Sequence, residues 1–412
     1  MEEKYRVSPY RWVVLGVFMF INLTIQILWI SFASISGPAA AFYHVSDLKI
    51  GLLAMSFMLA FIPLSIPVSW SIDTLGFKKS VSVGAALMGI FGILRGAFGQ
   101  NYTGVLICTI GLAVSQPFLL NAWTKVPALW FPPTQRATAV GMVTLFNLIG
   151  TALGLVLTPI LFEKGVPINR IQLGYGSAAM LSAFLFIILA REKPETPPCE
   201  DSESTRALML DGLKSALKIL PFWLTLIVAF IGLGIFNGVT TWIENIIRPR
   251  GFSPTDAGIV GGIMIGGGLA GAVILPALSD RERKRQKYLY IAFLGAVPGL
   301  IGLTFAGNRP LLYISSFVMG FFLVSALPIA MQYAAEVTYP TPEGTSNGLI
   351  QLFGQGAVVF VYIMEVMKTE SGSFTPSLLL GVGLLIVSIC LITGMKDPGK
   401  RKSRSFLKDN RP

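Results

Sequence analysis

The sequence predicts an all-α membrane protein of twelve transmembrane helices, arranged as two related six-helix bundles. Three observations carry this. Hydrophobic residues make up 53% of the 412 and charged residues only 13%, with a mean hydropathy of +0.68. A soluble chain of this length could not hide that much apolar surface, whereas a bilayer can. Twelve apolar runs follow one another, each long enough to cross the hydrocarbon core. A short signature then closes one span in each half, Asp73-Thr-Leu-Gly76-Phe-Lys78-Lys79 and Asp280-Arg281-Glu-Arg283-Lys284-Arg285, with the two aspartates 207 positions apart. The second copy lacks the glycine, but one half still reads as a duplicate of the other, which places a substrate site where the halves meet.

The expected spans of the first half are 11–37, 50–72, 80–98, 102–127, 137–162 and 171–190. Those of the second are 221–246, 256–279, 288–306, 310–337, 345–366 and 374–395. The first span is long and reads as a retained helix rather than a cleaved signal. The 43 glycines and 25 prolines suit membrane helices that pack closely and bend. Residues 1–190 and 221–395 are therefore expected to form the two bundles. Between them, 191–220 opens polar and Pro-rich, then predicts a surface helix from about Thr205 to Leu220. A basic tail occupies 396–412.

Lys and Arg positions set the direction. The N-terminus, the 73–79 and 280–287 loops, Lys125, Arg136, the linker and the tail together hold 24 of the 32; the other face holds 7, and Arg95 lies within a span. By the positive-inside rule both termini are cytoplasmic, and an even number of spans requires them to share a side.

Composition also excludes. The net charge of +11 comes from short loops between apolar spans, so it marks topology rather than nucleic acid. Cys108 and Cys390 fall inside spans and Cys199 in the linker, which is no disulfide scaffold. His44 is the only histidine, so a histidine metal or haem cluster is not available; no metal and no cofactor is expected. A membrane enzyme would need a convergent nucleophile, metal or acid–base set, and ionisable residues at depth are too scarce for one.

The repeat extends past the aspartates. Trp130-Phe-Pro132-Pro-Thr-Gln135-Arg136 enters the fifth span, and Thr338-Tyr-Pro340-Thr-Pro-Glu343-Gly344 enters the eleventh. An offset of 208 aligns Pro132 with Pro340 and Asn147 with Gln355, so these amides are expected to face each other across a central cavity. No acid or base lies near the middle of any span, which argues against strict proton coupling, although Glu336 and Glu244 near span ends leave that route open. The groups at depth are neutral and polar, or aromatic: Gln26, Trp29, Gln116, Asn121, Asn147, Asn237, Gln332, Gln351 and Gln355 among them. Trp29 precedes small residues, which leaves its ring room to face a cavity. Indole plus amides suits a small cation held on the ring face, or a zwitterion. Trp242 reads as an interfacial belt residue, and Met58, on spacing alone, as packing.

The acid-and-basic loop resembles that of major facilitator carriers. Pro67-Val-Ser-Trp70-Ser-Ile-Asp73 and Glu336-Val-Thr-Tyr-Pro340-Thr-Pro-Glu343-Gly344-Thr-Ser346-Asn-Gly348 are similar to motifs of the feline leukaemia virus subgroup C receptor-like solute carriers. Trp29-Ile, Phe57-Met58-Leu, Gln116-Pro-Phe, Trp130-Phe and Asn147 match as well, over a stretch from about Arg11 to Gln355. The resemblance implies the major facilitator fold and transport of choline or ethanolamine, of haem, or in one branch of pyridoxine. It implies a cavity lined by Trp29, Met58, Gln116 and Gln355. Where the choline carriers have a seventh-helix tyrosine, this chain has Asn237, so half of the cation cage is missing. The resemblance also implies a conformational switch at Asp73, Gly76 and Lys78, in which Asp73 meets the start of the eleventh helix when the cytoplasmic side closes. Asp280 and Arg281 are the repeat's counterpart near Arg136, and Glu336 and Glu343 flank the eleventh helix's entry.

The expected function is facilitative alternating-access transport of a small polar amine or cation. The alternatives are a haem or vitamin carrier, a proton-coupled metabolite transporter, or a receptor without transport. The expected partners are the small-molecule substrate and the lipid bilayer, with no nucleic acid. The expected state is a monomer in the plasma membrane, or the inner membrane of a bacterium.

Overall fold

The computed structural model describes residues 7–196, 198, 216–339 and 343–395, the side chains of 133, 137 and 343–345 excepted. The expected surface helix up to Ser215, the basic tail and Cys199 lie outside the described residues. Twelve helices are long and apolar enough to cross a membrane: Arg11–Tyr43, Asp47–Leu75, Phe77–Ala97, Tyr102–Trp130, Thr134–Glu163, Ile168–Leu189, Leu220–Thr241, Pro254–Glu282, Arg285–Phe305, Arg309–Thr338, Ser346–Val366 and Thr375–Thr393. They are called the first to twelfth spans below.

Several spans begin earlier than hydropathy alone predicts, because their first turns are polar and capped. The eighth opens on a capping box in which the Ser253 hydroxyl accepts from Asp256 N–H and the Asp256 carboxylate accepts from Ser253 N–H. This satisfies helix-terminal donors without apolar residues. The second likewise starts at Asp47, whose acid suits a helix N-terminus.

Four spans expected to be continuous are broken. The first stops at Ile30, passes a 3₁₀ turn at Ala33–Ile35, and resumes over Ser36–Tyr43. The seventh stops at Thr241 and resumes beyond Trp242 as Ile243–Ile247. The fourth breaks between Leu120 and Lys125, the eleventh at Ala357. Runs of small residues explain the first break, where Ser31, Ser34, Ser36 and Gly37 precede Pro38.

Within each half, glycines let helix backbones touch. A Cβ on Gly176 of the sixth span would lie 2.2 Å from the Gly92 carbonyl oxygen of the third; one on Gly271 of the eighth would lie 1.8 Å from Phe321 O of the tenth. Without a hydrophobic drive between helices in lipid, such close approach is a principal source of their cohesion. One apolar cluster, from Val14 to Ala190, draws only on the first half. The cluster of the second half, by contrast, takes in Ile30, Ala33, Met55, Met58 and Leu155 of the first. All five lie toward the face opposite the chain ends, so the halves are welded there.

Candidate functional site

The sequence-predicted binding residues sit deep in their spans. Gln116 is the central residue of Tyr102–Trp130, and Asn147, Gln355 and Met58 lie near the middles of theirs. Trp29 and Gln355 each sit two residues before a helix break. Trp29 and Asn237 are 208 apart, the same offset as Asn147 and Gln355, so the six residues contain two repeat-related pairs.

Trp29 packs against the apolar clusters of both halves, which rules out lipid-facing filler. Its indole N–H donates to Ala54 O at 3.2 Å, one turn before Met58 on the second span. The donor lies in the ring plane, so this bond fixes the ring without covering its π faces. Met58 is 2% exposed and belongs to the apolar cluster shared between halves; the structure brings it together with Trp29. The amides behave differently. Gln116, Asn147, Asn237 and Gln355 make no side-chain hydrogen bond to any described residue, and Gln116 Oε1 and Asn147 Nδ2 are buried without a partner. Gln26 Oε1 is a third such atom. Leaving a buried polar group unpaired costs about 1–3 kcal/mol, so a polar partner would be favoured at each of these three atoms. Asn121 is not among them: its amide donates to Ser65 O and Ser69 Oγ and ties the fourth span to the second.

The face opposite the chain ends is shut across the two halves. Ser36 Oγ donates to Asn245 Oδ1 at 2.5 Å and to Glu244 Oε2 at 3.1 Å, and Gly37 N–H donates to the same Glu244 oxygen. Ser36 and Glu244 are themselves 208 apart, so the contact joins repeat-related ends of the first and seventh spans. Arg248 bridges Glu244 and, at 2.6 Å, Asp47 of the second span; Lys368 lies 3.9 Å from Asp47 and pairs with Glu365. Trp242 is fully buried, not at an interface belt as expected. Its ring lies on Gly51 of the second span, and its N–H donates to Val361 O. Glu244 stands beyond Thr241, where the membrane-crossing run of the seventh span ends, and is 2% exposed. Burial pushes its carboxyl above the ordinary range, against the Arg248 guanidinium and the hydrogen bonds from Gly37 and Ser36.

At the face carrying the chain ends, the described polar contacts of the switch residues stay within a half. Asp73 pairs with Lys125 at 2.8 Å. Asp280 pairs with Arg285, which also holds Glu336 at 3.0 Å. Gly76 adopts φ +95°, and a Cβ there would lie 2.7 Å from Glu192 Oε1. That carboxylate accepts from the N–H groups of Phe77 and Lys78, both at 2.8 Å, an acid on a helix N-terminus. Arg136 Nε donates to Phe131 O, and Arg281 is exposed. The side chain of Glu343 lies outside the described residues. One face is closed across the halves, and at the other the acids turn back into their own halves.

The comparison with protein families decides the class. The model of the Major Facilitator Superfamily matches residues 12–362. The chain is a major facilitator superfamily protein. It is 28% identical over 408 residues to the choline/ethanolamine transporter FLVCR1 of Felis catus, covering 92% of this chain and 71% of that one. It is 30% identical over 390 residues to the choline/ethanolamine transporter FLVCR2 of Homo sapiens, covering 89% and 72%. Solute carrier family 49 member A3 of Danio rerio is 29% identical over 387 residues, covering 90% and 81%. Among solved structures, a bacterial homologue of the human lysosomal transporter Spinster, inward-facing and unoccupied, superposes with a TM-score of 0.76 at 16% identity, over 99% of this chain and all of that one. Fold and relatives are those of membrane transporters, not of enzymes.

For this facilitator, sequence reading missed Ser36, Asn245, Arg248, Trp242 and Glu192. The offset of 208 between Ser36 and Glu244 was a usable signal. Nothing local marked Glu192, which acts from the linker on a helix 114 and 115 positions away.

Proposed function

We propose that this transporter carries a small organic amine as its cation, by facilitated alternating access, as a monomer in the plasma membrane with both termini in the cytoplasm. On that orientation the closed face is extracellular and the structure is inward-facing. The observation that carries the reading is Trp29, fixed by Ala54 beside a helix break, together with amides at mid-depth that have no side-chain hydrogen-bond partner among the described residues. A cation desolvated on an indole face gains about 0.5–2 kcal/mol, and the amides supply directional hydrogen bonds. The names of the relatives support choline and ethanolamine as the substrate class.

Asn237 favours the primary amine of the two. A quaternary ammonium has no N–H to give an amide oxygen, whereas ethanolamine has three and a hydroxyl besides. Mid-span residues are neutral, and Glu336 is already held by Arg285 and Gln332, so no proton acceptor waits at depth. In proteoliposomes, labelled ethanolamine should enter without an imposed proton gradient, with choline competing more weakly. Trp29→Ala should weaken apparent affinity by about twofold to thirtyfold. Wild-type kinetics in Trp29→Ala, or uptake that requires a proton gradient and is lost in Glu336→Gln, would overturn the reading.

A further inference from the structure

We propose that Arg95 is a positioning residue for Trp29, holding the broken end of the first helix so that the indole presents one fixed face to the cavity. Arg95 lies on the third span and is 1% exposed. Among the described residues no carboxylate pairs with it. Its partners are neutral: Nη1 donates to Leu28 O at 2.8 Å, Nη2 to Gln172 Oε1 at 2.6 Å and to Ser31 Oγ at 3.3 Å, and the guanidinium lies over the Phe32 ring. A buried charge without a counter-charge is costly, and an apolar side chain would pack the same space more cheaply. The charge does have a matching feature. The first helix stops at Ile30 with Ser31 N–H still bonded to Ile27 O, so Leu28 belongs to its last turn, and the Leu28 carbonyl has no backbone donor among the described residues and lies at the negative end of the helix dipole. A forked, permanently charged donor fits that end better than any other side chain.

The geometry reaches Trp29 directly. Leu28 and Ser31, three residues apart, share one helix face, and Arg95 grips both, with Gln172 of the sixth span completing the clamp through Ser31. Trp29 projects about 100° round the helix from Leu28, toward the second span, where its N–H meets Ala54 O. The helix end is thus pinned on two different faces, by the third and sixth spans on one and the second on the other. Releasing the Arg95 side frees the last turn to unwind or rotate, and Trp29 with it. The second half does not repeat this device. The residue 208 positions on from Arg95 is Leu303, and there Arg250 of the loop donates to Leu303 O and Ala306 O, capping the ninth span instead. The consequence for binding rests on the reading of Trp29 as the ring that meets the cation; the clamp itself does not.

The test uses full-length protein labelled with 5-fluorotryptophan, with the Trp29 resonance assigned by Trp29→Phe. Arg95→Gln and the milder Gln172→Leu are compared with wild type by ¹⁹F NMR, by thermal melting and by ethanolamine binding. The expected result is a shifted or broadened Trp29 resonance with the Trp242 resonance unmoved. Ethanolamine affinity should fall about twofold to thirtyfold, the span of a lost cation–π contact, and Arg95→Lys should recover part of both effects. If Arg95→Gln does not fold, Gln172→Leu decides. An unchanged Trp29 resonance in a folded variant overturns the clamp. Wild-type protein that binds no ethanolamine overturns the substrate reading instead, while the resonance still decides the clamp.

Discussion

Replacing Gly51 with alanine should prise open the closed face more strongly than removing its ion pairs. A methyl at Gly51 would stand 2.1 Å from Cη2 of Trp242 and 2.7 Å from Cζ2, far inside contact distance. The indole cannot swing aside without giving up its 2.9 Å bond to Val361 O, and it is packed against Phe374. Overpacking of this kind costs about 1–3 kcal/mol. Because Gly51 belongs to the first half and Trp242 to the second, the cost falls on the state in which these surfaces meet and vanishes when they part. The equilibrium should therefore move roughly fivefold to 150-fold toward the state open on that face. Spin labels on exposed residues of the second and eighth spans, read by pulsed electron resonance, would report the distances across that face. A longer-distance population should appear or grow in Gly51→Ala. The same distribution as wild type in a folded mutant would refute the claim that Trp242 on Gly51 seals the gate.

Asp47→Asn should do much less. The Arg248 side chain is 41% exposed, exposed pairs contribute about 0.2–1 kcal/mol, and the ratio of open to closed populations should change by about fivefold at most, less in high salt. Acid should favour closure. Glu244 binds its proton more tightly when buried than when hydrated, so closure is favoured below the ordinary carboxylate range and loses that support as pH rises through the raised value. Lowering pH across that window should increase the closed fraction in wild type, and Glu244→Gln should abolish the dependence; an unaltered slope in the mutant would contradict this. Asp73→Asn removes two contacts in different states. The Lys125 pair, 22% and 25% exposed, contributes at most about 1 kcal/mol here. The proposed contact with the eleventh helix's start, made in the other state, contributes about 0.3–2 kcal/mol. Measured against Lys125→Met, which removes the present-state pair alone, Asp73→Asn should shift the equilibrium further toward the present state, by up to about thirtyfold at the full latch strength, in cysteine accessibility across the termini-bearing face; equal populations in the two variants would rule out the latch.

The spans and the duplication were legible because both are written in composition and period, which tertiary context does not alter. The breaks were less so. A run such as Ile30 to Tyr43 is apolar throughout, and hydropathy measures length, not backbone continuity; only Gly37-Pro38 hinted that the first span resumes as a second piece. Trp242 shows the opposite error. A tryptophan near a span end usually belongs to the interface, but here the partner half supplies a glycine to receive it, which a single span cannot reveal. The deep amides were found by type and depth, and their lack of partners is a property that only packing displays. Arg95 stood out as a charge inside a span. Its role needed the break after Ile30, because the carbonyl it caps, Leu28 O, is a free acceptor only where the helix stops.

The most direct test of the account is counterflow in proteoliposomes of purified protein. Vesicles loaded with unlabelled ethanolamine and placed in trace labelled ethanolamine, with no ion gradient, should accumulate label transiently, because an alternating site exchanges one solute for the other without net driving force. Trp29→Ala should reduce the overshoot at low external substrate. No accumulation with ethanolamine or choline, from protein that is folded and inserted, would contradict the claim that this facilitator carries a small organic amine.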